Sequence, residues 1–294
     1  MEENLYINYN GNFFQKNEPV LLVNNRAFRY GDGLFDTIRV VDGHPSFLNR
    51  HLSRLQDGMI FLKMKIHPLL NEINFENEII KTLEKNGIKD GGRIRISVFR
   101  NAGGLYAPET HDVSFIIESS PLENNYYEIN KKGLNIDVFD EQKKPLNKIS
   151  TIKTSCCLPL VLAGIFKKEK NLDDCIIINE MGSISEATSS NIFIVYNGVF
   201  YTPSLNQGCI PGIMRQVIIE MLRRGGTEVQ ECPLSPSALL RADEVFFTNV
   251  IKGVQWVGSY KQKRYFSNVS KNLVEKLNAR IKEPLPVQTF RVGN

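Results

Sequence analysis

Two short strings hold the residues best suited to covalent chemistry. Ile152-Lys153-Thr154 sets a lysine at the opening of a small-residue loop before an apolar stretch. Ser183-Ile184-Ser185-Glu186-Ala187-Thr188-Ser189-Ser190-Asn191-Ile192-Phe193 sets a carboxylate in a hydroxyl-rich loop before an apolar strand. A deprotonated lysine attacks carbonyls and forms a Schiff base; it needs a partly desolvated, polar-walled site, which Thr154 and Ser155 suit. A carboxylate facing a heterocycle can keep its ring nitrogen protonated, making the ring an electron sink. Taken alone, a solvated lysine or a loop-capping carboxylate is the commoner role. The pairing of the two strings points to chemistry.

Two further strings suit a phosphate. Arg54 lies in Arg50-His51-Leu52-Ser53-Arg54-Leu55 on a helical pattern, and a guanidinium binds phosphate through paired hydrogen bonds. Pro211-Gly212-Ile213-Met214-Arg215 opens another helix, whose first backbone N–H groups can hold an anion. Schiff-base lysine, ring-nitrogen carboxylate and phosphate ligands are the set that pyridoxal 5'-phosphate (PLP) requires.

With these residues the chain resembles the class IV aminotransferases, the fold-type IV group of PLP enzymes. That group includes branched-chain aminotransferases, D-amino acid aminotransferases and 4-amino-4-deoxychorismate lyase. Glu186 to Phe193 is similar to the family's Glu-Gly-x-x-x-Asn-x-Phe, with Ala187 for the usual glycine, and His51 to Leu55 matches His-x-x-Arg-Leu. The resemblance runs from about Tyr6 to Val257. It implies a mixed α/β fold of two domains with PLP at their junction, and a homodimer whose neighbour completes the substrate pocket. It makes Lys153 the catalytic lysine, which takes the substrate's α-proton. Arg54, Glu186, Thr188, Ser189, Gly212, Ile213, Met214, Asn249 and Val250 become cofactor ligands, and Phe35, Asp36, Arg100 and Tyr106 substrate contacts.

Departures from the family pattern guide the choice among members. Met214 and Val250 stand where a hydroxyl residue is usual, leaving backbone amides as phosphate donors. Tyr201 to Leu205, Gly212 to Gln216, Asn249 and the Gly31-Asp32-Gly33-Leu34-Phe35 string look lyase-like. Leu158 replaces a tyrosine of branched-chain enzymes, whereas Asp36 is commoner in aminotransferases. The leading expectation is a lyase releasing pyruvate and p-aminobenzoate, a folate precursor. The alternative is an amino acid:2-oxo acid aminotransferase, D-amino acids ahead of branched-chain ones. A non-catalytic PLP or metabolite binder comes last, since Lys153, Glu186 and Arg54 are all intact. Arg95 and Arg100 lie five residues apart on one strand and so point to opposite faces; Arg100 resembles the carboxylate-binding arginine of D-amino acid aminotransferases, reached across a dimer interface, and Arg95 one that lines the site in branched-chain enzymes, with Arg100 the favoured substrate contact and Arg95 then a solvated edge charge.

The elements that must position these residues are legible as alternating patterns. Leu5 to Tyr9 before Asn10-Gly11, and Thr37 to Val41 before Asp42-Gly43, read as hairpins. Helices are expected from about Asn49, with Leu52, Leu55, Met59 and Leu62 on one face, and around Ile79 to Leu83, ending near Gly87. Strands follow at Arg93–Phe99 and Val113–Ile117. The polar stretch Pro121–Gly133 reads as a linker between domains at 1–120 and 134–294. Beyond it come a strand at Leu134–Val138, a buried helix at Leu158–Ile165 with Pro159 in its first turn, and a buried strand at Cys175–Ile178. A hairpin at Asn191–Tyr201, a helix from Gly212 to Gly225-Gly226, a strand at Glu244–Thr248 and an amphipathic tail helix from about Asn268 complete the chain. So many hairpins argue against a doubly wound parallel sheet.

Composition excludes several classes. The 36 basic and 32 acidic residues leave a charge of +4, with no basic stripe for nucleic acid. The longest apolar run falls far short of the roughly 20 residues of a membrane span. Five cysteines, odd in number and without metal-ligand spacing, suit a reducing cytosol. His44, His67 and His111 have no partner at metal-ligand spacing, and the polar Met1-Glu2-Glu3-Asn4 start does not read as a signal peptide.

Overall fold

The structure, a computed structural model, describes residues 5–282; the Met1–Asn4 stretch lies outside them. The first part of the chain contains β1 (Tyr6–Tyr9), β2 (Asn12–Gln15), α1 (Arg26–Tyr30), β3 (Gly33–Val41), β4 (His44–Pro45), α2 (Leu48–Phe61), α3 (Glu72–Lys85), β5 (Gly92–Arg100) and β6 (Val113–Pro121). Its strands form a six-stranded sheet in the order β2-β1-β6-β5-β3-β4, antiparallel throughout. Asn10-Gly11 and Asp42-Gly43 both adopt positive φ, which matches a two-residue turn to the right-handed strand twist.

Alternation along β3 and β5 decides what reaches the site. Leu34, Ile38 and Val40 on β3, with Ile94, Ile96 and Val98 on β5, pack against Leu52, Leu55 and Met59 of α2 and Ile79 of α3. Phe35, Thr37, Arg93 and Arg95 therefore project from the opposite face of the sheet.

The second part contains β7 (Leu134–Lys144), α4 (Leu158–Glu169), β8 (Asp174–Asn179), β9 (Ile184–Ala187), β10 (Asn191–Tyr196), β11 (Val199–Pro203), α5 (Ile213–Arg224), β12 (Val229–Cys232), α6 (Ala238–Arg241), β13 (Glu244–Asn249), β14 (Gly253–Tyr260), β15 (Lys263–Arg264) and α7 (Asn268–Lys282). Its nine strands run in the order β12-β11-β10-β13-β14-β7-β8-β9, with β15 on β14. Three pairs are parallel, β7 with β8, β7 with β14 and β11 with β12; the rest are antiparallel, and of these β10 with β13 is a long-range pair while the others join consecutive strands. Helix α5 buries Val217, Ile218 and Leu222 against Phe193 and Phe246 and against Leu273 and Leu277 of α7.

Three elements depart from expectation. Glu186 sits on strand β9, paired with β8, and not in a loop. Helix α4 buries only Ala163 and Phe166; Leu158, Val161, Leu162 and Ile165 stay exposed, because a helix apolar all round is covered on only one side here. The polar stretch between the sheets is anchored: Tyr127 is buried, donates to the Val250 carbonyl at 2.7 Å and lies 4.6 Å from the Arg39 guanidinium. Arg39 in turn donates to the carbonyls of Asn124, Asn125, Tyr126 and Ile251.

Candidate active site

A cavity of about 350 Å³ lies between the two sheets, and Lys153, Glu186 and Arg54 all line it. Lys153 follows a 3-10 turn at Lys148–Thr151. Its short extended segment lies along the start of β3: Phe35 N–H donates to the Lys153 carbonyl at 3.1 Å and Ser155 N–H to the Gly33 carbonyl at 2.9 Å. A Cβ on Gly33 would meet the Val98 carbonyl oxygen of β5 at 2.8 Å and the Ser155 Oγ at 3.0 Å, so glycine lets both β5 and the lysine segment lie close to β3 here. The Lys153 ammonium stands 4.2 Å from the Phe35 ring centroid. Burial, then the positive charge of Arg54, lowers its pKa, against the opposing pull of Asp36 and Glu186. A lysine so placed reaches its neutral, nucleophilic form more readily.

Arg54 is held from three sides. Its Nε and Nη2 donate to both Asp36 oxygens, at 3.1 and 2.6 Å, and its Nη1 donates to the Pro211 carbonyl at 3.0 Å. His51 Nδ1 lies 2.9 Å from Asp36 as well. Burial alone would raise the Asp36 pKa, but the adjoining Arg54 and His51 charges and hydrogen bonds outweigh it and hold the carboxyl far below its ordinary value. Asp36 is thus no substrate contact. Its even position on β3 turns it toward α2, where it orients Arg54.

The bond to Pro211 ties Arg54 to the start of α5. Gly212 caps that helix without a side chain, so its first-turn N–H groups point free toward the cavity end that Ile213 and Met214 line. A Cβ on Gly212 would strike the Asn191 Oδ1 at 1.9 Å. Asn249 folds the neighbouring loop: its side chain accepts from Ile251 and Lys252 N–H and donates to the Ser190 hydroxyl. Val250 joins this wall, and the buried Thr248 hydroxyl beside it has no hydrogen-bond partner among the described residues.

At the other end Glu186 is buried, accepts from Ile210 N–H at 2.9 Å and pairs with Lys144. Thr188 and Ser189 also line the cavity, the Thr188 hydroxyl bonded to Asp174. These groups fit PLP: a guanidinium, an open helix start and an orphaned hydroxyl for phosphate, a carboxylate to accept from the ring nitrogen, and a lysine for the aldehyde.

The substrate side corrects two expectations. Arg100 does not line the cavity. It is buried against Asp32 at 2.9 Å and donates to the carbonyls of Leu62 and Lys63, on the α2 side of β5. Arg95 takes the place expected of it, lying 4.1 Å from the Phe35 ring, with Arg93 beside it on the cavity wall. Tyr106 is 89% exposed, with its ring against Tyr30. Phe35 does line the cavity. Arg93, Lys252 and Thr248 were not anticipated; Arg93 was within reach, two residues before Arg95 on the same strand.

The chain matches the amino-transferase class IV family over residues 33–260, and it belongs to that family. Among its relatives, a Methanocaldococcus jannaschii protein, named provisionally as a branched-chain-amino-acid aminotransferase, is 30% identical over 91% of this chain and 93% of its own length. The aminodeoxychorismate lyase of Bacillus subtilis is 28% identical over 82% of each. The PLP form of a branched-chain amino acid aminotransferase from Thermobaculum terrenum superposes with a TM-score of 0.84 at 18% identity, covering 96% of this chain and 95% of the other. That last likeness establishes the fold. No helix among the described residues is long and apolar enough to cross a membrane.

Proposed function

We propose that this chain is a PLP-dependent amino acid:2-oxo acid aminotransferase that works as a homodimer. The observation that carries this reading is the pair Arg93 and Arg95 on the cavity wall. Arg95 and Lys153 share the Phe35 ring, at 4.1 and 4.2 Å from its centroid. A carboxylate held by these guanidiniums would set its α-carbon beside the lysine. Amino donors and 2-oxo acid acceptors both present that carboxylate, so one grip serves both halves of a transamination.

Each residue has a defined task. Arg93 and Arg95 bind and orient the carboxylate. Lys153, with its lowered pKa, would take the substrate's α-proton and hold it on Nζ for return. Glu186 holds the proton of the ring nitrogen. Arg54, positioned by Asp36 and His51, fixes the phosphate together with the α5 amides and the Thr248 hydroxyl. Phe35 shields Lys153 from water. Bound PLP supplies the electron sink that makes the α-proton acidic.

The lyase is the second reading. The B. subtilis relative and the missing hydroxyls at Met214 and Val250 favour it. The exposed Tyr106, however, stands away from this chain's own cavity. The exposed apolar face of α4 (Leu158, Val161, Leu162, Ile165) supports the dimer.

The test incubates PLP-loaded protein with single D- and L-amino acids and 2-oxo acids, and separately with 4-amino-4-deoxychorismate. Conversion of an amino acid to its 2-oxo acid, dependent on an acceptor, is the expected result. Release of p-aminobenzoate and pyruvate with no amino-group transfer would replace this reading by the lyase.

A further inference from the structure

Glu186 does not stand alone at its end of the cavity. Lys144, the last residue of β7, points its ammonium at the Glu186 Oε1, while Oε2 accepts from Ile210 N–H. Both side chains are almost wholly enclosed, at 12% and 7% exposure. Glu186 lines the cavity; Lys144 does not. The pairing follows from the sheet, in which β8 lies between β7 and β9 and brings their two ends together.

From this geometry we propose that Lys144 is a positioning residue that sets how strongly Glu186 holds the proton of the cofactor's ring nitrogen. The proposal rests on the reading of Glu186 as the ring-nitrogen partner. A carboxylate between two cations divides its attraction between them, and the cations repel each other across it. Lys144 holds the Glu186 carboxylate in one orientation. It also weakens the grip of Glu186 on a protonated ring nitrogen. The site thus binds the cofactor with less charge stabilisation than an unpaired buried carboxylate would provide, and the ring nitrogen titrates at a lower pH.

The test compares binding of PLP and of its 1-deaza analogue, in which carbon replaces the ring nitrogen, to wild type, Lys144→Met, Lys144→Arg and Glu186→Gln, by calorimetric titration of the cofactor-free proteins. Wild type should prefer PLP, and Glu186→Gln should lose that preference. Lys144→Met should raise the preference about tenfold, the equivalent of one pKa unit, and shift the pH titration of the bound cofactor's visible absorbance upward. Lys144→Arg should restore wild-type behaviour. If Lys144→Met weakens both ligands equally, or leaves both the preference and the absorbance titration unchanged, the tuning role is wrong and Lys144 is only structural. If wild type and Glu186→Gln bind the two ligands alike, the assignment of Glu186 itself fails. Should Lys144→Met not fold, Lys144→Gln gives the same comparison with a neutral hydrogen-bonding side chain.

Discussion

Strand β5 carries two kinds of arginine, and their contrast separates structure from function. Arg100 and Arg26 converge on Asp32 in the interior, and Arg26 also donates to the carbonyls of Gly103, Gly104 and Leu105. Almost every donor there has a protein acceptor. Arg93 and Arg95 lie on the other face. Among the described residues the ion-pair partner of Arg95 is Glu118, at 3.9 Å, beside the Phe35 ring, and the Arg93 side chain has no hydrogen-bond or ion-pair partner there. A guanidinium whose donors are satisfied by protein holds the fold together. One left open in a cavity is available to a ligand.

The contrast can be broken most forcefully at its interior end. Arg100→Met removes one partner of a buried network and should cost about 3–5 kcal/mol of stability, read by urea unfolding, with KM unchanged in whatever activity remains. A raised KM with intact stability would return Arg100 to the substrate. Arg95→Met should do the reverse, lowering kcat/KM for the amino acid by roughly 10²-fold, the worth of a charge-assisted hydrogen bond pair, while stability moves by less than about 1 kcal/mol.

Asp36 extends the contrast to Arg54, which is both held by protein and open to the cavity. Because the folded-state pKa of Asp36 lies below its ordinary 3.8, its contribution is fully present above the unfolded value. It is lost as pH falls through the folded one. As pH falls below about 4 the wild type should therefore lose stability more steeply than Asp36→Asn, which starts lower. Parallel unfolding curves for the two proteins would remove Asp36 from the account. The mildest change is Arg50→Ala. Arg50 pairs with Glu220 at 2.6 Å across α2 and α5, but both side chains are about one-third exposed. Its loss should cost under about 1 kcal/mol in a salt-dependent way, measured by thermal melts at low and high ionic strength.

Much of this was legible in the sequence where a local rule governs. The Asn-Gly and Asp-Gly turns, the α2 face of Leu52, Leu55 and Met59, and Pro159 at the head of α4 all follow from short-range preferences. The strings around Lys153 and Glu186 were readable because both lie in one continuous stretch of chain. What escaped depends on partners far away in sequence. Arg95 and Arg100 were correctly placed on opposite faces, but which face met the cavity was decided by where α2 packs. Asp36 belongs to Arg54 and His51 because β3 lies against α2. Lys144 reaches Glu186 only through the order of three strands. The exposed face of α4 reads as core in the sequence because apolar content alone does not say what covers it.

The central claim is that Lys153 is the covalent anchor of PLP in this cavity. The direct measurement is borohydride reduction of the PLP-reconstituted protein, followed by peptide mass spectrometry, with Lys153→Ala in parallel. One stoichiometric pyridoxyl adduct is expected, on Lys153, and none in the variant. An adduct on Lys144 or Lys252, or none at all on a protein that retains its fold, would contradict it.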